Sequence, residues 1–307
     1  MLQTLEGFQS FETQHCVTGS LRHIYEFHGY SISEEMLLGL GSGVGFLYWH
    51  QKGMDPFYGG RANFERPGEE GLEKTVGADM GFLPYLELPE DYRFGAHSVV
   101  VAGYDPESRY VLITDRDAEL HPVSWEDLAK ARGSKHKPFP PQHQWFSFDL
   151  SEKRPPTAEE IRQAIRDVTK GMLEPPISNF GVKGIRTAVK RTLKWPQQMD
   201  KERLRWTCFN IFIFIDYAGG TGGGIFRYMY ARFLQEAADI TGESSLADIG
   251  EQMHTIGDQW QEVAEIFRQA HEAPDPAALL PDATSRMKVI ADQEQAAWEE
   301  LTQVVGG

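Results

Sequence analysis

The chain has 307 residues, which is long enough for two domains that each bury a hydrophobic core. Hydrophobic residues make up 41% and charged residues 24%, and this composition excludes the low-hydrophobicity class of disordered proteins. The formal net charge of -15 argues against binding to nucleic acid or to an anionic membrane surface, because the summed field repels phosphate.

The cysteine content and the apolar runs favour a cytoplasmic protein. Two cysteines cannot form a disulfide framework in so long a chain. The first residues lack the basic region and apolar stretch of a signal peptide. The longest apolar run, from Cys208 to Ile215, is too short to span a bilayer and is interpreted as a buried strand.

A helix predicted near the N-terminus carries the first candidate catalytic residue. Thr13 is the predicted N-cap, and Gly29 ends the helix. Cys16 then lies in the first turn, where free backbone N–H groups favour the thiolate and can also bind a carbonyl oxygen during attack. The alternative is that Cys16 is a small buried hydrophobic residue. Cys208, inside the apolar run, fits that alternative better.

A predicted hairpin supplies the candidate base. Residues 97–105 and 109–115 are rich in β-branched side chains and flank an Asp-Pro turn. Antiparallel pairing then sets His97 opposite residue 115, 116 or 117. An aspartate on the same face, Asp115 or Asp117, would orient the imidazole so that its other nitrogen accepts the proton of Cys16. The alternative is that these polar residues only mark a solvated sheet edge.

The second half of the chain is predicted to be mainly helical. Ser151 to Thr157 is a polar, proline-bearing linker, so we predict domains at 1–150 and 151–307. Thr157 and Glu160 form a predicted capping box. Helices are predicted over 225–240, 245–272 and 283–304, and one strand over Trp206 to Asp216.

A glycine-rich loop, Gly219 to Gly224, precedes the predicted helix at 225. Exposed N–H groups at a helix start bind anions, but the loop has neither nucleotide-binding fingerprint. It is either a tight turn that requires positive φ or a cradle for a substrate carboxylate or phosphate. The second interpretation, together with proximity to Cys16, gives the candidate substrate-binding residues Gln14, His15, Gly220, Thr221, Gly222, Gly223 and Arg227.

A basic cluster stands out in the acidic chain. It is either a docking face for an acidic protein or a solvated helix. The histidines at 15, 23 and 28 lack a metal-binding spacing, so we expect no metal and no other cofactor. The cluster consists of Lys183, Arg186, Lys190, Arg191, Lys194, Lys201, Arg203 and Arg205.

Extended motifs resemble a known family. HCVTGSLRHIYEFHGYSISEEMLLGLGSGVGFLYW (15–49), GADMGFLPYL (77–86) and GAHSVVVAGYD (95–105) resemble the butirosin biosynthesis protein H N-terminal family, over roughly residues 10 to 150. MLEPPISNFGVKGI (172–185) and GGTGGGIFRYMYARFLQEAA (219–238) resemble the uncharacterised domain that usually follows it. One departure is that LEKTV (72–76) nearly abuts GADMGFLPYL, where the family has a longer stretch carrying a strand and a helix. This departure puts the packing of the first domain and one wall of its pocket in doubt.

The resemblance implies a fold and a reaction. The family is similar in fold to papain-like and C39-like cysteine peptidases, so the expected class is α+β, a papain-like domain followed by a mainly helical domain that shapes the acceptor pocket. Its namesake moves an acyl group from an acyl carrier protein thioester to an amine of an aminoglycoside. The resemblance implies that Cys16 becomes the acyl-thioester, that His97 is the general base and acid, and that Asp115 is the orienting carboxylate.

We therefore expect a cysteine-dependent acyltransferase that uses a thioester donor and a small-molecule amine acceptor. The first alternative is a papain-like or C39-like peptidase or amidase, in which water or a peptide is the second reactant. The second is a non-catalytic binding module on the same fold. The acyl group, the acceptor and the oligomeric state, including a homo-oligomer, are left open by the sequence.

Overall fold

The computed structural model describes residues 3–51, 53–61, 76–88, 90, 92–137, 139–145, 150–151 and 153–306. These residues form a mixed α/β protein with small antiparallel sheets and a helical C-terminal part. The predicted mixture of helices and strands is thus confirmed, whereas the papain-like arrangement stays a prediction. Most of the segment LEKTV, where the sequence departs from the family pattern, lies outside the described residues.

The regular elements follow one another with strands early and helices late. The strands are β1 (Gln3–Thr4), β2 (Leu47–Trp49), β3 (Phe57–Gly59), β4 (Val76–Ala78), β5 (His97–Asp105), β6 (Tyr110–Thr114) and β7 (Leu120–Ser124). The helices are α1 (Cys16–Phe27), α2 (Glu34–Leu40), α3 (Trp125–Gly133), α4 (Ala158–Leu173), α5 (Gly181–Thr192), α6 (Lys201–Ile215), α7 (Arg227–Thr241), α8 (Ser245–Glu272) and α9 (Leu280–Val305). Among the described residues, no helix combines the length and apolar character that crossing a membrane requires.

The chain divides into two compact units. The first comprises Met1–Leu37 and Gly68–Arg154, and the second comprises Leu38–Pro67 and Pro155–Gly307. The last change from the first unit to the second falls between Arg154 and Pro155, close to the predicted boundary at 150/151. Residues 38–67, however, also belong to the second unit. The predicted domain limits themselves stay a prediction.

The first unit is built around an antiparallel sheet of order β1-β5-β6-β7, with β4 also paired to β5. Alternate residues of a strand point to one face, and Val99, Val111 and Ile113 are buried in this way. The predicted hairpin is confirmed as β5 and β6, which pair from Asp105↔Tyr110 to Val100↔Thr114. The register shifts between Val101 and Gly103, which is the signature of a β-bulge. The core of the sheet consists of Ala78, Leu83, Val99, Val111, Ile113, Val123 and Ala131.

The second unit is dominated by helices α4 to α9. The predicted capping box is confirmed at the start of α4, where Thr157 and Glu160 bond each other's backbone N–H groups. The predicted helix at 245–272 is α8, and the helices predicted at 225–240 and 283–304 correspond to α7 and α9. Their buried residues recur every three or four positions, as expected for helices that pack one face into a core.

The strand predicted over Trp206 to Asp216 is wrong, because these residues belong almost entirely to helix α6. Asp200 caps the helix by accepting the N–H of Arg203 at 2.9 Å. The aromatic and β-branched composition favours a strand locally, but packing overrides so weak a preference. The buried positions have helical spacing and are Leu204, Thr207, Cys208, Ile211 and Ile215.

A buried ion pair lies at the centre of the second unit. The Nε and Nη2 atoms of Arg227 donate to the two carboxylate oxygens of Glu294, at 2.8 and 2.7 Å. The indole N–H groups of Trp260 and Trp298 donate to the same carboxylate, at 2.8 and 3.1 Å. Arg227 also donates to the carbonyl of Gly45 at 2.6 Å. Such a pair is tolerated in a core only when its polar atoms are this well bonded.

Replacement of Glu294 by alanine leaves the Arg227 charge buried without its partner. We expect Glu294→Ala to lower the free energy of unfolding by about 3–5 kcal/mol, measured by urea denaturation. The matched control on the same helix is Asp292→Ala, which removes the exposed partner of Arg186 and should cost no more than about 1 kcal/mol. Equal losses in the two variants would contradict this account of the core.

Candidate active site

Helix α1 presents Cys16 as its first residue. The N-cap predicted at Thr13 is wrong, because the cap is His15, whose Nδ1 lies 3.5 Å from the backbone nitrogen of Thr18. Gly29, with φ of 74°, follows the end of the helix as predicted. The position of Cys16 in the first turn is therefore confirmed, and the helix dipole favours its thiolate there.

Hydrogen bonds fix α1 and its leading segment against the sheet. The N–H of Thr13 donates to the carbonyl of Arg116 at 2.8 Å. The hydroxyl of Ser20 donates to the carbonyl of Ser98 at 3.3 Å. Thr13 is thus bound just beyond the end of β6, and α1 lies against the start of β5. This arrangement brings Cys16 to the end of the hairpin that carries His97.

His97 and Asp115 form a short, buried hydrogen bond. The distance from His97 Nε2 to Asp115 Oδ2 is 2.7 Å, and both side chains are only 3% exposed. A carboxylate can only accept, so Nε2 carries a hydrogen and Nδ1 is the nitrogen left for the thiol. Asp117 is instead 54% exposed and binds His121 at 2.9 Å. The contact to His97 therefore belongs to Asp115.

Tyr85 is a member of the site that sequence reasoning missed. Its hydroxyl donates to the same Asp115 oxygen at 2.8 Å, and its ring stacks on His121 with centroids 4.1 Å apart. Burial and the charge of Asp115 raise the pKa of Tyr85, so it remains a donor. The residue stands in the motif GADMGFLPYL, but nothing in the local pattern indicates a contact thirty residues away.

The electrostatics favour an ion pair between Cys16 and His97. Burial acts to raise the pKa of Cys16, but the charges of His15 and His97 and hydrogen bonds with both imidazoles outweigh it, so the pKa lies well below that of an ordinary thiol. Burial acts to lower the pKa of His97, but Asp115 and Cys16 outweigh it and raise the pKa. Both shifts favour a thiolate beside an imidazolium.

The carboxylate of Asp115 is held ionised in the same way. Burial acts to raise the pKa of Asp115, yet the attraction of His97 and the hydrogen bonds from His97 and Tyr85 lower it. Cys208 has the opposite character, since burial raises the pKa of its thiol to about 12. Cys16, which is partly exposed, is thus the thiol prepared for reaction, and Cys208 is a core residue.

A buried carboxylate, Glu34, organises the residues just before Cys16. It accepts the backbone N–H groups of Gln14 and His15 at 2.8 and 3.1 Å, and the hydroxyl of Thr18 at 2.9 Å. The amide side chain of Gln14 donates to Glu35 at 3.0 Å. Sequence reasoning missed Glu34. Substrate binding by Gln14 and His15 stays a prediction.

The glycine-rich loop lies in the second unit and joins helices rather than a strand and a helix. Gly220, Gly222, Gly223 and Gly224 have φ between 54° and 79°, which supports the interpretation as a tight turn. The N–H of Gly223 donates to Thr221 Oγ1 and that of Gly224 to Gln261 Oε1, both at 3.1 Å.

In the second unit, several groups of the predicted substrate-binding residues are already hydrogen-bonded within the protein. Gly220 donates its N–H to the carbonyl of Tyr217 at 2.9 Å, and Thr221 Oγ1 donates to Asp216 at 2.8 Å. Arg227 is fully buried in its pair with Glu294, so a substrate contact there would require that pair to open. Substrate binding by Gly220, Thr221, Gly222, Gly223 and Arg227 stays a prediction.

The basic cluster also lies in the second unit, on and between α5 and α6. Arg186 pairs with Asp292 at 2.8 Å and Arg203 with Asp55 at 2.5 Å. The cluster members with exposed side chains are Lys183, Lys190, Arg191, Lys194 and Lys201. The described part of the chain contains no group of three or more histidine, cysteine or acidic side chains arranged to hold a metal ion.

Two family models match the chain. Residues 126–301 match the family described as "Domain of unknown function (DUF4872)", and residues 15–80 match "Butirosin biosynthesis protein H, N-terminal". The chain belongs to the first of these families, whose model covers more than half of it. No curated protein matches it. The resemblance inferred from the motifs is therefore confirmed, and it links the chain with a family named for a biosynthesis protein.

The matched ranges cover the site unequally. Cys16 lies inside the N-terminal match, whereas His97 and Asp115 lie between the two matched ranges. The match to the second family begins at residue 126, within α3 of the first unit. The roles of His97 and Asp115 therefore depend on the geometry of the site rather than on the family matches.

Asp115→Asn tests that geometry. The amide keeps the shape but removes the charge that favours the imidazolium of His97, so the pKa of Cys16 should rise. We expect alkylation of Cys16 by iodoacetamide, at a pH well below the wild-type midpoint, to slow by about tenfold, which corresponds to a shift of about one pKa unit. Asp117→Asn, the same change at the aspartate that binds His121, should leave the rate unchanged. Equal rates in the two variants would contradict the assignment.

Proposed function

We propose that the protein is a cysteine-dependent acyltransferase with a Cys16-His97-Asp115 triad on a papain-like fold. The observation that carries the proposal is the hydrogen bond of 2.7 Å from His97 to the buried Asp115, made by an imidazole that also bonds with the thiol of Cys16. This is the nucleophile, base and orienting acid of acyl-transfer enzymes.

In the first half-reaction the Cys16 thiolate attacks the carbonyl carbon of a thioester donor. The carbon–sulfur bond to Cys16 forms, and negative charge moves to the carbonyl oxygen. Backbone N–H groups at the start of α1 are suited to stabilise that oxygen, since a helix leaves its first N–H groups unbonded within the helix. The intermediate then expels the donor thiolate, which takes the proton of the His97 imidazolium and leaves as a thiol.

In the second half-reaction an amine attacks the Cys16 thioester. His97 is now neutral, and its Nδ1 accepts the proton that the amine loses. The second intermediate expels the Cys16 thiolate and releases an amide. The thiolate and the imidazolium are then restored, so no other reactant is consumed. Asp115 stabilises the imidazolium at both stages, and Tyr85 fixes the carboxylate that does so.

The proposed donor is an acyl carrier protein, and the proposed acceptor is a small-molecule amine. An acidic carrier protein complements the exposed basic residues on α5 and α6, and such complementarity raises the rate and selectivity of association. The name of the N-terminal family, which is that of a biosynthesis protein, favours transfer over peptide hydrolysis. We propose the cytoplasm as the site of reaction, because reducing conditions keep a reactive thiol unoxidised.

Intact-mass measurement with acyl carrier protein thioesters tests the transfer. We expect the mass of the chain to increase by one acyl group in the wild type and in Cys208→Ser, but not in Cys16→Ser, because only Cys16 is prepared as a thiolate. Addition of an amine should remove the adduct and give an amide.

Two outcomes would contradict the proposal. Rapid release of free acid at a rate that does not depend on the amine would indicate a hydrolase, which is a peptidase or amidase on the same triad. The absence of both adduct and acid with thioesters of varied acyl length would indicate a binding module. Cys208→Ser is the matched control, because it removes the second thiol without changing the site.

A further inference from the structure

Cys16 has a second imidazole beside it. His15 is 6% exposed, and its ring hydrogen-bonds with the side chain of Cys16, as does that of His97. The triad uses only His97. There are two possibilities for this second imidazole: it is only packed beside the sulfur, or it acts on the sulfur. The hydrogen bonds of His15 help to distinguish them.

The contacts of His15 Nδ1 accommodate both protonation states of that nitrogen. When Nδ1 is bare, it can accept the backbone N–H of Thr18, 3.5 Å away. When Nδ1 is protonated, it can donate to the hydroxyl oxygen of Thr18, 3.2 Å away. An imidazole fixed in one state needs only one of these partners. These two contacts fix the orientation of the ring through Nδ1 and leave Nε2 as the nitrogen available to the Cys16 sulfur.

The hydroxyl of Thr18 is oriented to accept. Its own hydrogen is donated to the buried carboxylate of Glu34 at 2.9 Å, since a carboxylate has only acceptor oxygens. Glu34 is itself fixed by the N–H groups of Gln14 and His15. The arrangement is a carboxylate, a hydroxyl and an imidazole in sequence. It parallels the direct pair of Asp115 and His97.

We propose that His15 is a second catalytic imidazole, which donates a hydrogen bond to the Cys16 thiolate, and that Thr18 and Glu34 are its positioning residues. The proposal rests on the proposed role of Cys16 as a nucleophile. Among the described residues, His97 interacts with Cys16 and is bonded to Asp115. From α2, Glu34 is bonded to His15 and Thr18, and Glu35 is bonded to Gln14. When the second intermediate expels the Cys16 thiolate, the hydrogen bond from His15 stabilises the negative charge on the sulfur beside the His97 imidazolium.

The test is the pH dependence of Cys16 alkylation by iodoacetamide in the full chain, with the modified residue located by peptide mass spectrometry. His15→Phe retains a planar aromatic ring but cannot donate a hydrogen bond. We expect the pH of half-maximal rate to rise by about one unit, which corresponds to an approximately tenfold lower rate at pH values well below the wild-type midpoint. The rate at high pH, where the thiol is ionised without help, should be retained.

A pair of variants at Thr18 isolates the positioning role. Thr18→Val removes the hydroxyl and should shift the titration in the same direction, whereas Thr18→Ser keeps the hydroxyl and should titrate like the wild type. Equal unfolding curves for valine and serine would show that the fold is not the cause. A wild-type titration in His15→Phe would overturn the proposal, and one in Thr18→Val would remove Thr18 and Glu34 from it.

The alkylation readout separates this proposal from the acyltransferase proposal. Iodoacetamide reacts with a thiolate whether or not the protein accepts an acyl group. A shifted titration in His15→Phe, in a protein that takes no acyl group, would support the role of His15 and contradict acyl transfer. Normal acyl transfer with an unshifted titration would do the reverse.

Discussion

The hydrogen bond between His97 and Asp115 is the interaction on which the rest of the site depends. A carboxylate in a buried position is costly unless it is paired and bonded, and Asp115 meets this condition with the imidazole of His97 and the hydroxyl of Tyr85. The same pairing keeps the pKa of His97 high. A cationic imidazole in turn favours the thiolate of Cys16, so the charge of Asp115 is transmitted to the sulfur.

Short, well hydrogen-bonded elements of the fold hold these charged groups in place. His97 begins β5, and Asp115 directly follows β6, so both lie at one end of the hairpin. The hydrogen bond from Thr13 to Arg116 holds the segment before α1 at that same end. The start of helix α1 therefore fixes the position of Cys16, and a helix start is more rigid than a loop. The second unit has a buried charge pair of its own, between Arg227 and Glu294.

Sequence reasoning found the features that local patterns encode and missed those that depend on distant contacts. Helical spacing and β-branched runs predicted α1 and the β5-β6 hairpin. From the residues alone the choice between Asp115 and Asp117 stayed open, because both can share the face of His97 in a hairpin, and the family resemblance implied Asp115. The contact of Tyr85 with Asp115 has no local pattern. Helix α6 was predicted as a strand, because its aromatic and β-branched composition favours a strand and outweighed the helical spacing of its buried residues.

The central claim is that a Cys16 thiolate and a His97 imidazolium form an ion pair in the resting protein. Titration of the His97 ring by NMR, in the wild type and in Cys16→Ser, tests it most directly. Serine keeps the size of the side chain but carries no charge near neutral pH. The account predicts that the His97 imidazolium persists to a higher pH in the wild type than in Cys16→Ser. Identical titrations in the two proteins would contradict it.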